Sequence, residues 1–543
     1  MRRGAAVGGC RILWAMAPSL GMGELAAERE QLLERVRSLA ATLAGAARQA
    51  TTLGRERAIL RLIGVSGIDR EGRPLAAEVV DQYVSGGQDR LAMGVGLPFA
   101  VALLEYDSSP QSLALDVAAG VVDLGLEAAL LAEPGRRAAA SEHLGFLAAS
   151  AVARIDAERV ARRELLGVLR DRQPPWIGTT LLELSIEAAE DEAAALVRAG
   201  LDLVRVEVPV VRELATRLGE LGHDVAWRPR AATTDPEAES APAGSQRGIA
   251  RLRDVLDRSA AERGAYVRLA IAPAALAGPE GAIVAAFERA DLLDLDPMSE
   301  IVATGVDPER ALADFSFAVR VVRRAGATIH LGSGPLVVAP DLDAGVNSDP
   351  ATRSGRALAL QMLAASIAVA GGLPPAQVVV GALPAWLADE PDAPARAAAE
   401  VALRRALLAD HSLAFVEPSG QKDPGRWPAI AAAIQPGSGV SLILRHGHPD
   451  AGEIAAVAEG SRAASDVARD LDGAFGDSVL KGIARDHAAG ALVAAIRTLD
   501  TIESEGWPVL AGATAGRGGW GRLGGEAVAP SSDPSDPVER ALA

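Results

Sequence analysis

Aromatic residues, cysteine, lysine and long apolar runs are all scarce or missing in this sequence of 543 residues. Aromatic side chains make up 3% of the chain although 49% of it is apolar, so the expected core consists mainly of Ala, Leu and Val. The single cysteine, Cys10, excludes a disulfide framework and any zinc or iron–sulfur site built from cysteines. No run of about 18 apolar residues occurs, so we expect no membrane-spanning helix.

Positive charge is outnumbered by negative charge. The chain has 54 Lys and Arg residues against 71 Asp and Glu, which gives a net charge of −17. Nucleic acids and anionic membranes bind clustered cations, so the composition argues against both as partners. Residues 1–22 are expected to be a disordered leader, because Cys10 and Arg11 interrupt the apolar stretch that a signal peptide needs. The predicted location is therefore the cytoplasm.

The apolar pattern changes at Pro174-Pro175. Before this point, residues 23–173 form a predicted helical N-terminal accessory region, in which Thr52 with Glu56 marks one helix start. After it, β-rich runs alternate with helical stretches that end at glycines such as Gly200. We predict nine strands in this part, namely Ile177–Leu184, Leu201–Val208, Asp224–Arg228, Tyr266–Ile271, Ala290–Leu295, Ala327–Leu331, Gln377–Gly381, Leu413–Val416 and Val440–Leu444.

Alternating strands and helices indicate right-handed βαβ units and a parallel sheet. About eight units fit a (β/α)8 TIM-type barrel, which we place at residues 174–450. An open doubly wound sheet is the alternative, although no Gly-x-Gly-x-x-Gly motif follows the first strand. Residues 451–528 are expected to form a helical, glycine-rich C-terminal extension, and residues 529–543 a disordered tail.

Polar side chains follow several predicted strands. Because barrel enzymes carry their functional residues at the carboxyl ends of the strands, these side chains form the predicted site. The predicted catalytic residues are His330, Glu207 and Asp296. Just after His330, the run Gly332, Ser333 and Gly334 is predicted to offer backbone N–H groups to an anion.

A second polar run, His446-Gly447-His448 followed by Asp450, resembles a set of zinc ligands. Such a site requires that the turn aims both imidazoles inward. A polar surface turn explains the same residues more simply, so no metal site is predicted.

Several motifs resemble the α subunit of D-lysine 5,6-aminomutase. Residues 51–69, continued by Pro74-Leu75 and Val79-Val80-Asp81, are the most specific part of this resemblance. Colinear matches extend it to about residues 25–525. They are Gly200, Asp202, Tyr266–Leu269, Glu288–Asp291, Asp314–Ser316, Gly326, Gly371–Pro374, Gln377 and Gly381.

The resemblance implies a TIM barrel and a radical 1,2-amino shift on a lysine-like or ornithine-like amino acid. It also implies pyridoxal phosphate and adenosylcobalamin as cofactors. In that family a small β subunit carries the cobalamin and supplies the lysine of the pyridoxal Schiff base. This chain has no Asp-x-His-x-x-Gly cobalamin motif, and its only lysines are Lys422 and Lys481. Both features agree with an α-type chain that takes these parts from a partner.

The cofactor motifs of that family differ here. Its phosphate-binding arginine and Thr-Thr-Gly-Gln-Ser run correspond to Val208–Glu213, and its Asn-Tyr-x-Ser run corresponds to Ile271–Ala274. Its Asn-Thr-Gly-Glu-Asp run corresponds to His330–Gly334, where only the glycine is kept. We therefore expect weak binding of pyridoxal phosphate. The predicted phosphate ligands are Arg212, Arg228, Arg230 and the glycine run Gly332–Gly334.

Two other functions remain open from the sequence. The first is a non-catalytic barrel paralogue that binds a partner or a small molecule. The second is a metal-assisted hydrolase that uses His446 and His448.

Overall fold

Eight parallel strands close into one barrel, in which each strand pairs with the next along the chain and β8 pairs with β1. The computed structural model describes residues 25–67, 74–181, 186–207, 246–273, 276–304, 306–332, 349–383, 392–417, 440–445, 451–460, 482–507 and 537–543. The strands are β1 (Trp176–Leu181), β2 (Leu203–Glu207), β3 (Arg268–Ala272), β4 (Leu292–Asp294), β5 (Thr328–Leu331), β6 (Val378–Leu383), β7 (Ser412–Glu417) and β8 (Val440–Arg445).

The closed sheet confirms the predicted barrel and excludes the open doubly wound alternative. Eight of the nine predicted strands are strands of this barrel, and the candidate at Tyr266–Ile271 is β3. The ninth, Asp224–Arg228, lies outside the described residues.

Side chains of the strands alternate between two apolar clusters. Outward-facing residues such as Val204 and Val206 pack against the surrounding helices. Inward-facing residues form a small separate cluster around the barrel axis, with Trp176 against it. Its members are Leu203, Ala270, Leu292, Val379, Ala414, Leu442 and Leu444.

The N-terminal helical unit precedes the barrel, as predicted. Its helices are α1 (Ala26–Arg48), α2 (Leu53–Leu62), α3 (Leu75–Val84), α4 (Gln88–Met93), α5 (Gly96–Tyr106), α6 (Pro110–Ala118), α7 (Leu124–Leu130) and α8 (Pro134–Val168). Thr52 begins α2 as predicted, because its hydroxyl accepts a hydrogen bond from the Arg55 N–H. Glu56 does not complete a capping box; it accepts hydrogen bonds from the Thr51 hydroxyl and from the Val95 N–H.

The remaining helices cover the barrel. They include α9 (Ile186–Ala199), α10 (Gln246–Arg263), α11 (Gly278–Phe287), α12 (Pro308–Ala325), α13 (Pro350–Ala370), α14 (Ala393–Leu407), α15 (Ile483–Glu505) and α16 (Pro537–Leu542). Gly326 ends α12 at φ 63°, a left-handed conformation that glycine adopts without strain. None of the helices in the described ranges is long and apolar enough to cross a membrane.

The end of the chain differs from its prediction. Residues 529–543 were expected to be disordered, yet Pro537–Leu542 forms α16 and packs against α8. Val538 and Leu542 are buried there. Glu539 forms ion pairs with Arg55 of α2 and Arg320 of α12. The Pro/Ser/Asp-rich composition before residue 537 concealed this short amphipathic segment, whose order comes from packing on distant helices.

Candidate functional site

A polar layer lies inside the barrel, beyond the apolar cluster and toward the carboxyl ends of the strands. Arg205 and Asp294 each stand two residues after a member of that cluster, so they share its inward face. The strand register aligns Asp294 with His330, and Thr180 with Arg205. Four side chains from four strands therefore meet in one layer.

Arg205 is the centre of this layer. Its Nε donates to Asp294 Oδ2 at 2.7 Å, and its Nη1 donates to Thr180 Oγ1 at 3.0 Å and to Glu207 Oε1 at 2.7 Å. Burial lowers the pKa of Arg205, but the charges of Asp294 and Glu207 outweigh this effect and raise that pKa overall. The guanidinium is thus permanently charged, and three of its five N–H groups donate to these acceptors.

His330 lies beside this ion pair at the centre of the barrel. Its side chain is 0% exposed, and Nδ1 stands 3.3 Å from Asp294 Oδ1. That contact is close enough for an ionic interaction but is not aligned as a hydrogen bond, and neither ring nitrogen bonds to any residue within the described ranges. Asp294 can only accept, so it favours the tautomer with the proton on Nδ1. Nε2 then presents a lone pair.

Glu207 is the most exposed member of the layer. It ends β2, and its side chain is 57% exposed although one oxygen binds Arg205. The strand end thus places a carboxylate at the mouth of the barrel, above the buried Arg205.

Asp296 holds two loops together. Its carboxylate accepts hydrogen bonds from the Met298 and Ser299 N–H groups, the Ser299 hydroxyl and the Gly332 N–H. Burial raises its pKa, the charge of Asp294 adds to this, and the Ser299 and Met298 hydrogen bonds oppose it. This arrangement fits a positioning role for Asp296 and gives it no open contact of its own.

The predicted anion nest loses its first donor. The Gly332 N–H donates to Asp296 Oδ2 at 3.1 Å, so it is not available to a phosphate. Gly332 has φ 96°, and the Gln361 amide nitrogen lies where a Cβ atom at residue 332 would stand. The prediction was wrong for Gly332 because spacing in the chain does not reveal that Asp296, two residues after β4, accepts from its N–H.

A second buried network supports the same rim. Arg404 of α14 donates from Nε to the Gly381 carbonyl at 2.8 Å and from Nη2 to Gln361 Oε1 at 3.0 Å. Gly381 lies where the β6–β7 register shifts. Arg404 also pairs with Glu400, whose other oxygen is 2.7 Å from His487 Nε2 on α15. Helix α15 is thereby connected to the rim of β6.

The Glu400 carboxylate is strongly stabilised in its charged form. Burial raises its pKa, yet Arg404, His487 and Ser354 together lower it to about 2. Because Arg396 Nη1 can only donate, its 3.3 Å contact makes His487 Nδ1 the acceptor and leaves Nε2–H to donate to Glu400.

Eight residues singled out in the sequence lie outside the described ranges, namely Arg212, Arg228, Arg230, Ser333, Gly334, Lys422, His446 and His448. Of the predicted phosphate ligands, only Gly332 lies within the described ranges. Its N–H donates to Asp296 and does not face the barrel mouth as a free donor. Within the part of the chain that the structure describes, no group of three His, Cys, Asp or Glu side chains is placed to hold a metal ion.

The described residues of the mouth do not fit a phosphate group. Phosphate sites use unoccupied Arg or backbone N–H donors. Here Arg205 binds three acceptors, the Gly332 N–H binds Asp296, and Glu207 adds an exposed carboxylate. A phosphate dianion at this position would face negative charge.

The closed eight-stranded barrel and its helical N-terminal unit agree with one family model over residues 27–423, that of the D-lysine 5,6-aminomutase TIM-barrel domain of the α subunit. The chain belongs to this family. The resemblance seen in the sequence is therefore confirmed. In this aminomutase-family chain, residues 51–63 serve as scaffold, since Thr52 begins α2 and Glu56 binds Val95.

Two curated relatives are similar to the chain. The lysine 5,6-aminomutase α subunit of Acetoanaerobium sticklandii is 26% identical over 332 residues, which are 61% of this chain and 59% of that protein. The one from Fusobacterium nucleatum is 27% identical over 340 residues, again 61% of this chain and 59% of that protein. The match thus spans 59% of the length of each relative. Among solved structures, Yersinia pestis dihydropteroate synthase is similar at 14% identity and a TM-score of 0.31, over 53% of this chain and 93% of that one.

Sequence reasoning missed three residues of the site, Arg205, Arg404 and His487. Arg205 carried a usable signal, because a charged residue two positions after Leu203 in an alternating strand must share its face. Arg404 and His487 carried none, since each stands in an ordinary helical pattern and meets its partners only in the folded chain.

Proposed function

We propose that this chain is the barrel subunit of a cytoplasmic, cobalamin-dependent aminomutase that shifts an amino group of an amino acid. A small partner subunit carries the cobalamin and supplies the Schiff-base lysine. The observation that carries this proposal is the family match over residues 27–423 on a closed barrel. The substrate is lysine-like or ornithine-like by the same resemblance.

The composition supports dependence on a partner. Only Lys422 and Lys481 are available for a Schiff base, and no cobalamin motif is present in the sequence. The barrel mouth displays polar groups, such as Glu207, that a partner would have to cover, because radical intermediates require exclusion of water and oxygen. The relatives are named as α subunits, which supports the same division of labour.

The described residues do not fit the phosphate of pyridoxal phosphate, so none of them has a role in a step on that cofactor. When bound, that cofactor would hold the amino group during the shift. His330 and Glu207 remain the proposed catalytic residues, and Asp296 orders the loop beside them.

The deciding experiment combines the full chain with a small cobalamin-binding subunit from the same source. We expect co-purification and amine migration on lysine or ornithine only when the partner and both cofactors are present. The isolated chain should show no Schiff-base absorption band with pyridoxal phosphate. Full activity of the isolated monomer would refute the proposal.

A non-catalytic barrel paralogue is the second candidate. The observation in its favour is that, among the described residues of the mouth, the Gly332 N–H and three N–H groups of Arg205 already have acceptors. In that case the partner subunit binds this chain, but no amine migration is detected at any cofactor concentration.

A further inference from the structure

Two glycines stand side by side where β5 and β6 end. Gly332 and Gly381 follow the last residue pair of the β5–β6 register. A Cβ atom at residue 381 would stand 3.0 Å from the Gly332 carbonyl oxygen and 3.1 Å from the amide nitrogen of Gln361 on α13. The same nitrogen lies where a Cβ atom at residue 332 would stand. The Gln361 amide therefore fills the space that two absent side chains leave.

Arg404 fixes the orientation of this amide. Its Nε and Nη2 atoms lie 3.3 Å and 3.0 Å from Gln361 Oε1. A guanidinium can only donate hydrogen bonds, so the amide oxygen faces Arg404 and the amide nitrogen faces the two glycines. That nitrogen makes no hydrogen bond to any residue within the described ranges, although the side chain is only 3% exposed. Buried polar atoms are satisfied in the large majority of cases, and exceptions are expected at functional sites.

The guanidinium of Arg404 is itself held in place. Its Nε donates to the Gly381 carbonyl at 2.8 Å, and its Nη1 pairs with Glu400. The other oxygen of Glu400 lies 2.7 Å from Nε2 of His487, which stands on α15, beyond the residues 27–423 that match the family model. A chain of four buried side chains thus leads from α15 to the ends of β5 and β6.

His330 depends on this end of β5. Its side chain is 0% exposed, and neither ring nitrogen makes a hydrogen bond within the described ranges. The backbone of β5 and the packing around the ring therefore determine where the imidazole stands. Gly332, two residues later, is held from two sides, because its N–H donates to Asp296 at 3.1 Å and the Gln361 amide packs against its α-carbon. Removing the amide frees one of these sides.

We propose that Gln361 and Arg404 are positioning residues for His330. Gln361, oriented by Arg404, keeps the ends of β5 and β6 at a fixed separation. Helix α15 secures Arg404 in turn, through His487 and Glu400. The inference rests on the proposed function for the catalytic role of His330, yet the positioning itself can be measured on the folded chain without partner, cofactor or substrate.

The test uses the full chain labelled with ¹⁵N-histidine. The ring signals of His330 are assigned by their loss in His330→Asn, or in His330→Gln if the first variant does not fold. Gln361→Ala empties the gap between the two glycines. Arg404→Lys keeps a positive charge beside Glu400 but loses the fork that holds the amide. We expect both variants to shift the His330 signals.

The matched control is Arg162→Lys. Arg162 is also a buried fork, because it donates to three backbone carbonyls and pairs with Asp291. Those carbonyls precede β4 and β5, at the opposite end of the strands. The control should lower the midpoint of thermal unfolding, as Arg404→Lys does, and leave the His330 signals unchanged. A shift of these signals therefore reports positioning rather than lost stability.

Two variants of His487 test the contribution of α15. His487→Gln keeps an N–H donor for Glu400 and should retain the parent His330 signals. His487→Leu removes that donor and should shift them. Equal signals in these two variants would overturn the role of α15.

Unchanged His330 signals in both Gln361→Ala and Arg404→Lys would overturn the positioning role, and so would an equal shift in Arg162→Lys. None of these results depends on aminomutase activity. Shifted signals in a reconstituted enzyme that moves no amine would reject the proposed function and keep the positioning role.

Discussion

The carboxylate of Asp314 on α12 rests directly on the backbone of Gly54 on α2. A Cβ atom at residue 54 would stand 2.7 Å from Asp314 Oδ2. Asp314 also accepts a hydrogen bond from the Thr52 hydroxyl and lies 3.4 Å from Arg310 Nε. Only a residue without a side chain permits this approach, which joins the N-terminal unit to the barrel.

Replacing this glycine tests the junction. Gly54→Ala should lower the free energy of unfolding by about 1–3 kcal/mol, because Asp314 is short, buried and held by two partners. Urea denaturation measures the change. The control is Gly45→Ala in α1. A Cβ atom at residue 45 meets nothing within 4 Å, so this substitution should stabilise the helix by about 0.5–1 kcal/mol. Stabilisation by both variants would contradict the close contact.

Glu300, whose charge interacts with that of Asp314, predicts that the stability of the protein depends on pH. Burial raises the pKa of Glu300 to about 8, and the charge of Asp314 adds to this. The folded state therefore binds the proton more tightly than the unfolded state, whose Glu pKa is about 4.3. The stabilisation from this group is complete below the unfolded pKa and is lost as pH rises to about 8.

Glu300→Gln should remove this dependence. The unfolding free energy of the parent protein should fall with pH in that window, by up to about 1.4 kcal/mol per pH unit from this group alone. The variant should show a correspondingly flatter profile in urea titrations at successive pH values. Exposed Glu262 on α10 provides the control, and Glu262→Gln should retain the parent slope. An unchanged slope in Glu300→Gln would show that the group titrates normally.

The buried network of Glu400 and Arg404 on α14 with His487 on α15 predicts a large mutational effect. Glu400→Gln leaves the Arg404 guanidinium buried without its carboxylate, which should destabilise the protein by about 3–5 kcal/mol. Thermal unfolding measures this loss. Glu503→Gln removes the exposed ion pair of α15 with Arg35 and should cost no more than about 1 kcal/mol. Similar losses from the two variants would argue against the buried network.

The short helix α16 predicts that the end of the chain contributes to stability. Leu542→Ala should cost about 2–4 kcal/mol, since this side chain is buried in the main core. Arg540→Ala, at an exposed position of the same helix, should change stability by less than about 0.5 kcal/mol. Calorimetry distinguishes the two. If neither substitution changed the stability, α16 would not be packed against the core.

The barrel followed from local patterns in the sequence. The alternation of strands and helices can be recognised within a few residues, and so can glycines that end helices, such as Gly326. The reason is that the spacing of apolar residues and the backbone freedom of glycine are local properties. Closure of the sheet is not a local property, because the pairing of β8 with β1 joins segments from opposite ends of the barrel region.

The sequence by itself determined the eight-unit barrel, the start of α2 at Thr52 and the polar character of the strand ends. Tertiary structure alone decided which polar groups are free. The Gly332 N–H donates to Asp296, 36 residues earlier, and the Arg205 Nε–H donates to Asp294, 89 residues later. Hydrogen-bond partners are chosen by proximity in space, and residues far apart in the chain become neighbours only when the barrel closes.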